Sequence, residues 1–144
     1  MGVELRHFKP HEFRGWFHAM STTLLERLDH WRQMLDAPVL ISPAAGAIGR
    51  HLGQESDSQH NVDVWGEVRA IDVMPSLPIE EMERAFDLAI EAGFTGIGIY
   101  PDWRPQWGMH LDVRNDRRID DPALWSGLSV DGRQVYRGID EAFA

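Results

Sequence analysis

Two histidines and one aspartate stand out in this sequence because their side chains are common ligands of catalytic zinc. His60 ends a polar loop, Asp72 interrupts an apolar run that is typical of a strand, and His110 lies on the polar side of another such run. Zinc held by two imidazoles and one carboxylate keeps a fourth position open for water, whose pKa it lowers to about 7. The ion also polarises a carbonyl group, so this ligand set suits amide hydrolysis.

Distance along the sequence does not show that the three side chains converge. A histidine in a loop, or an aspartate in a strand, is more often a surface or hydrogen-bonding residue than a ligand. Asp72 fits that ordinary interpretation least well, because a buried carboxylate needs a partner. His51 lies in the same loop as His60, so the pattern alone leaves the choice of the first histidine open.

The composition is that of one ordinary globular domain. The chain has 144 residues, of which 43% are hydrophobic and 26% charged, and no repeat or low-complexity tract divides it. We therefore predict a single domain over residues 1–144. The net charge of -9 argues against binding to nucleic acid, which requires clustered Lys and Arg, and the absence of cysteine leaves His and carboxylates as the metal ligands.

The N-terminal residues show no apolar segment of the kind that a signal peptide needs, and no stretch is long enough to span a membrane. We therefore expect a soluble, monomeric protein that makes no contact with a membrane.

Two amphipathic helices and four strands are predicted around the three residues. The first helix is expected to begin at Thr23, which forms a capping box with Glu26, and the second to run from Pro78 to Gly93. The strands are predicted at 38–42, 68–74, 96–100 and 108–114, the first of them buried. From about residue 115 the chain is rich in charges and turn residues, so we expect a partly ordered C-terminal extension (about 115–144).

Alternation along the last predicted strand separates two faces. Met109 and Leu111 point to one side, and His110 and Asp112 point to the other. One face therefore belongs to the core and the opposite face is polar. Together the elements predict an α+β fold with a small central mixed or antiparallel sheet flanked by helices.

Five short motifs occur in a characteristic order: SQH (58–60), Gly66, RAIDV (69–73), GFTGIGIY (93–100) and MHLDVR (109–114). Together with HFKPHEFRG (7–15), they resemble the zinc D-Ala-D-Ala carboxypeptidase family, which includes phage lysis enzymes and shares the Hedgehog-type fold. The resemblance implies a Hedgehog/D-Ala-D-Ala peptidase-like fold. It also implies that one Zn²⁺ ion is bound by His60, Asp72 and His110, that Ser58 positions the site, and that Asp112 orients His110.

The family cleaves D-Ala-D-Ala or related bonds in cell-wall peptides. The resemblance therefore implies a zinc-dependent metallopeptidase, of carboxypeptidase or endopeptidase type, whose substrate is a peptidoglycan stem peptide. Without a signal peptide, we expect cytoplasmic synthesis with action at the cell wall after release, or association with a phage. A catalytically inactive, metal-stabilised cell-wall-binding or phage structural module is the alternative, and a third possibility is a fold that binds no metal and serves protein contacts.

The sequence departs from the family's pattern between and before the ligands. Five residues within NVDVWGE (61–67) are additional to the family's spacing, which brings Trp65 and Glu67 within conceivable reach of the site. Gly46 stands where the family carries an Arg that binds the substrate. Arg50 is the substitute we expect, since a guanidinium binds a carboxylate bidentately, although it is equally compatible with a solvated loop residue.

The general base of the family is also missing from its usual position in this sequence. Trp107 and Gly108 stand where better-known members carry it, and neither can accept a proton. Asp102 and Glu67 are the substitutes, of which we favour Asp102, whose alternative role is to form the turn after Pro101. Four aromatic residues are expected near the mouth of the site, where they would line a groove for a glycan or stem peptide: Trp65, Tyr100, Trp103 and Trp107.

Overall fold

The computed structural model describes residues 3–51 and 57–144, which form one mixed sheet of six strands with helices. The strands are β1 (Val39–Ile41), β2 (Ala70–Pro75), β3 (Gly96–Tyr100), β4 (Gly108–Asp112), β5 (Ala123–Val130) and β6 (Arg133–Arg137). Their order across the sheet is β1-β2-β4-β3-β5-β6. Strands β3 and β5 are parallel, and the other neighbouring pairs are antiparallel. The predicted α+β class with a mixed sheet is confirmed.

Three α-helices accompany the sheet: α1 (Thr22–Leu35), α2 (Val62–Trp65) and α3 (Met82–Ala92). Helices α1 and α3 contact each other, and the indole of Trp31 donates a hydrogen bond to the Ala85 carbonyl (3.0 Å). The predicted start at Thr23 is wrong, because Ser21 caps α1 by accepting a hydrogen bond from the Leu24 amide.

No helix among the described residues is long and apolar enough to cross a membrane.

The two faces of the sheet have opposite characters. The face toward α1 and α3 carries fully buried apolar side chains from three central strands: Ile71, Val73, Ile97, Ile99, Met109 and Leu111. The other face carries the alternate residues, including Asp72 and His110. The separation predicted for the last strand is confirmed, and it leaves the second face available for a site.

Two predicted elements differ in the structure. The stretch expected to be a C-terminal extension contributes β5 and β6 to the sheet. The side chains of β6 are mostly exposed, so its sequence lacks the apolar alternation that predicts a strand. Strand β1 lies at the edge of the sheet, where Leu40 is 48% exposed, so the prediction of a buried strand is wrong.

Candidate metal centre

Strands β2 and β4 place two of the predicted ligands side by side. Asp72 and His110 are paired in the antiparallel register of these strands, so their side chains project as neighbours from one face. His110 Nδ1 lies 3.2 Å from Asp72 Oδ1. Both residues are buried, which removes water as the main partner of their polar atoms.

The third ligand comes from the loop before α2 and is fixed through its backbone and its ring. The His60 amide donates to Ser58 Oγ (3.2 Å), and the His60 carbonyl accepts from the Arg50 amide (2.9 Å). His60 Nδ1 donates to the Ile48 carbonyl (2.7 Å), which turns Nε2 toward Asp72 Oδ1 at 3.2 Å. The contact from Ser58 agrees with the positioning role that the resemblance implies.

The structure brings together His60, and not His51, with the other two ligands. The ligand atoms of His60, Asp72 and His110 all lie within 4.8 Å of one another. His51 instead has an exposed side chain whose Nδ1 lies 3.1 Å from a carboxylate oxygen of Asp63. The choice that the sequence left open is therefore decided by the fold of the loop.

The hydrogen bonds of the His60 and His110 rings show which of their nitrogens are free to bind an ion. Because the Ile48 carbonyl can only accept, His60 Nδ1 carries the ring proton, and Nε2 of the neutral ring presents a lone pair to Asp72. This buried Nε2 finds no hydrogen-bond partner among the described residues. His110 Nε2 likewise faces an acceptor, Asp112 Oδ2, at 2.7 Å, so a His110 ring that gave up its second proton to a metal ion would present its Nδ1 lone pair to Asp72. Three acceptors that converge in a buried site repel one another unless a cation or a proton lies between them.

This donor set fits a divalent metal ion. Two imidazole nitrogens and a carboxylate oxygen are ligands that zinc accepts in catalytic sites. Each histidine also donates an outer hydrogen bond that fixes a metal-binding tautomer, to a carbonyl in the case of His60 and to a carboxylate in the case of His110. The described residues therefore contain a candidate metal centre with its supporting contacts.

The charges of the cluster support one another. Burial opposes ionisation of Asp72, but the interactions of its carboxylate with His60 and His110 outweigh it and hold the pKa of Asp72 well below its usual range. Burial likewise opposes the charged form of His110, but hydrogen bonds to Asp112 and Asp72 raise the pKa of His110 to about 9. In the absence of a metal, His110 therefore holds a proton that a metal ion must displace.

Asp112 is held by its own partners behind His110. Its carboxylate is fully buried and accepts hydrogen bonds from Arg114 Nε (2.9 Å) and Nη2 (2.6 Å). These bonds, with that from His110, outweigh the effect of burial and hold the pKa of Asp112 well below its usual range. A Cβ added at Gly96 would lie 2.2 Å from Asp112 Oδ1, so only glycine leaves room for this arrangement.

The cluster lies in a cavity of about 540 Å³ that also has an aromatic wall. That wall is formed by Tyr100, Trp103, Trp125 and Tyr136. The Trp125 ring contacts His110, with centroids 5.2 Å apart, and its Nε1 donates to the Tyr100 hydroxyl (2.9 Å). Two of the four rings come from β5 and β6, the strands that the sequence did not predict, and so were missed as site residues.

Glycines beneath these rings make the aromatic wall possible. An added Cβ would lie 2.5 Å from Trp125 at Gly98, 2.3 Å from Tyr100 at Gly127, and 2.5 Å from Trp103 at Gly108. Such distances are too short for real contacts, so the three rings lie directly on glycine backbone of β3, β4 and β5. Steric exclusion of a Cβ thus explains the two glycines of the GIGIY motif, Gly96 and Gly98.

The predicted catalytic residues occupy different places. Arg50 lines the cavity, and its Nε donates to the Gly46 carbonyl (2.9 Å). The exposed Asp102 is not among the residues that line the cavity, and its carboxylate accepts a hydrogen bond from the Ser129 amide (2.7 Å). Glu67 lines a separate cavity, to which Arg114 also contributes. A different carboxylate lines the main cavity, that of Asp57, which the polar loop gave no reason to select.

The additional residues between the first two ligands form α2. The Asn61 side chain caps this helix, and Trp65 Nε1 donates to the Ser58 carbonyl (2.8 Å). Trp107 is buried in the core, where its Nε1 donates to the Leu77 carbonyl (2.9 Å). Neither tryptophan lines the cavity, so the prediction that both lie at its mouth is wrong, while Tyr100 and Trp103 do line it.

Comparison with known protein families, with curated proteins and with solved structures finds no match for this chain. Its function must therefore be inferred from the geometry of the site and from the resemblance of its motifs.

Proposed function

We propose that this protein is a zinc-dependent metallopeptidase that hydrolyses amide bonds in peptidoglycan stem peptides, as a D-Ala-D-Ala carboxypeptidase or endopeptidase. The proposal combines the candidate metal centre with the motifs that resemble the zinc D-Ala-D-Ala carboxypeptidase family. It includes a Hedgehog/D-Ala-D-Ala peptidase-like arrangement of the sheet and helices.

One observation carries the proposal. His60 Nε2 and His110 Nδ1 both lie 3.2 Å from Asp72 Oδ1, while the other nitrogen of each ring is engaged by an acceptor. When both rings are neutral, two nitrogen lone pairs and a carboxylate oxygen converge in a buried place, and these are the ligand atoms that a divalent metal ion accepts.

His60, Asp72 and His110 would hold the ion, and zinc bound there would supply an activated water and polarise the scissile carbonyl. Asp112 keeps the His110 ring in the tautomer that presents Nδ1 to the site. Arg50 at the cavity wall would bind a carboxylate of the peptide, and the aromatic rings would contact its apolar groups.

A carboxylate is needed to accept a proton from the water, and the structure adds Asp57 to the candidate Asp102 that the sequence favoured. Asp57 lines the cavity, whereas Asp102 is bonded to the Ser129 amide outside it. We therefore expect Asp57→Asn to lower kcat at least 100-fold and Asp102→Asn to lower it less than threefold, in zinc-loaded proteins assayed side by side. The opposite order would restore the sequence-based choice of Asp102.

The proposal is tested by digesting purified peptidoglycan and a peptide ending in D-Ala-D-Ala, with the fragments identified by mass. Cleavage should stop with a chelator and return with zinc. His60→Ala should abolish it. His51→Ala is the matched control, because His51 belongs to the same loop but has an exposed side chain outside the cluster. Cleavage that survives both the chelator and His60→Ala would refute a metal mechanism.

A second candidate function is an inactive, metal-stabilised cell-wall-binding or phage structural module. It is favoured by the position of the two carboxylates predicted as bases, since neither Asp102 nor Glu67 lines the cavity. This module would bind one zinc ion and lose stability with a chelator, yet release no fragment from peptidoglycan. The same digestion therefore separates the two candidates.

A further inference from the structure

Tyr100 is held at the end of β3 by contacts on both faces of its ring. One face lies over Gly127, where an added Cβ would be 2.3 Å from the ring. The other aromatic contact is with Trp103, whose ring is stacked at 4.2 Å between centroids and 14° between planes. Tyr100 is only 5% exposed, and it lines the cavity that contains the metal centre. Its hydroxyl therefore has a fixed place in the wall of the site.

The hydrogen bond to this hydroxyl shows that it is available as a donor. Trp125 Nε1 lies 2.9 Å from the Tyr100 oxygen, and an indole nitrogen can only donate. The hydroxyl must accept that bond, so its own proton is directed elsewhere. No acceptor for this proton is found among residues 3–51 and 57–144. The site thus contains one oriented O–H donor without an acceptor.

This donor belongs to the metal centre by position. Tyr100 follows Gly98 by two residues on β3, and Gly98 is paired with His110 on one side and Trp125 on the other. The Trp125 ring that orients the hydroxyl also contacts His110. Tyr100 thus lies in the wall of the cavity that the three candidate ligands also line.

We propose that Tyr100 is a catalytic residue whose hydroxyl donates a hydrogen bond to the carbonyl oxygen of the scissile amide and strengthens that bond as negative charge develops on the oxygen. The inference rests on the proposed peptidase function. The hydroxyl keeps its proton throughout, so no bond to it is made or broken. Burial raises the pKa of Tyr100 well above its usual value, which keeps the group a neutral donor.

The decisive variant is Tyr100→Phe, which removes the donor and keeps the ring between Gly127 and Trp103. Loss of one donor to a developing oxyanion typically lowers kcat by about 100-fold or more. We expect that fall in kcat with little change in KM, together with unchanged zinc content. Trp125→Phe removes the orienting N–H and should lower kcat by a smaller factor.

Binding gives a readout that does not depend on turnover. The probe is a phosphinic acid analogue of D-Ala-D-Ala, whose oxygens resemble the tetrahedral intermediate, with D-Ala-D-Ala itself as the ground-state comparison. Tyr100→Phe should weaken binding of the phosphinate at least tenfold and binding of the dipeptide less than threefold, measured calorimetrically on zinc-loaded proteins.

The failure of each claim is distinguishable. A parent protein that cleaves no substrate refutes the proposed function, whatever Tyr100→Phe does. A parent that cleaves while Tyr100→Phe retains its kcat overturns the role of Tyr100 alone. Equal affinity of the two proteins for the phosphinate, or binding to neither, also overturns it, whether or not the parent is active.

Discussion

Asp72 is the residue on which the candidate site depends, because its Oδ1 lies 3.2 Å from both histidine nitrogens. A carboxylate within an apolar strand needs a partner, and this requirement made Asp72 identifiable from the sequence. His110 was identifiable because it alternates with apolar residues. His60 was not separable from His51 by spacing, since the distinction arises from the hydrogen bond of the His60 ring to the Ile48 carbonyl.

Asp112 should contribute to metal affinity without touching the metal. Asp112→Asn keeps the size of the side chain but weakens its bonds to His110 and Arg114, so the His110 ring loses its fixed tautomer. Loss of such a supporting contact typically lowers metal affinity 10- to 100-fold. Competition with a chromophoric chelator would measure it, with circular dichroism to confirm folding.

The control for that substitution is Asp131→Asn. Asp131 is exposed in the turn between β5 and β6, where its φ of 51° is one that asparagine also adopts. Its zinc affinity should equal that of the parent. Parent-like affinity in Asp112→Asn as well would show that Asp112 does not orient the ligand.

Zinc binding should release a proton at neutral pH. The pKa of His110 in the zinc-free protein is raised to about 9, so its ring is protonated at pH 7 and must lose that proton to bind a metal. The apparent affinity for zinc should rise about tenfold per pH unit from pH 7 toward about 9. Calorimetry in buffers of different ionisation enthalpy counts the protons, and a count of zero would contradict this account.

The raised pKa of His110 also determines how the stability of the zinc-free protein changes with pH. Because the folded pKa of His110 lies above its ordinary value of 6.5, the contribution of His110 to the stability of the zinc-free protein is fully present below pH 6.5. It is lost as the pH rises through about 9.

At the scale of secondary-structure elements, the glycines of strands β3, β4 and β5 leave the space in which the aromatic rings and Asp112 lie. Gly98→Ala should displace Trp125, since the new Cβ would be 2.5 Å from its indole nitrogen. We expect a loss of about 1–3 kcal/mol in the free energy of unfolding. Urea denaturation followed by tryptophan fluorescence would measure it.

Gly138→Ala provides the matched comparison. Gly138 has a φ of -64°, and nothing lies within 4 Å of an added Cβ, so this substitution should change stability by less than about 0.5 kcal/mol. If Gly98→Ala were equally neutral, the steric role of the glycine beneath Trp125 would be wrong.

The central elements were predicted because they are rich in buried apolar residues. Strands β2 to β4 are buried at every position, and helices α1 and α3 have buried residues at helical spacing. Strand β6 has mostly exposed side chains, and α2 has only four residues, so neither presents a period that sequence analysis can detect. The parallel pairing of β5 with β3 is a long-range contact, and it brings Trp125 to the site.

At the scale of the whole molecule, the candidate site lies on the sheet face opposite α1 and α3. His60 from a loop, Asp72 and His110 from central strands, and Trp125 from β5 meet only when the fold is complete. A metal ion that binds this arrangement, and not the unfolded chain, must stabilise the fold.

We therefore expect zinc at about 1,000 times its Kd to raise Tm by roughly 10 °C over protein in chelator. Differential scanning calorimetry would measure the difference. His60→Ala, which lacks a ligand, should show a difference below about 3 °C, and a parent protein whose Tm ignores zinc would contradict the coupling of binding to folding.

The zinc content of the purified chain tests the central claim most directly. After equilibration with zinc and dialysis, elemental analysis should find one zinc ion per chain in the parent and in His51→Ala, and about one tenth of that or less in His60→Ala and Asp72→Asn. A parent protein that retains no stoichiometric metal, or a His60→Ala variant that retains as much as the parent, would contradict the assignment of His60, Asp72 and His110 as a metal centre.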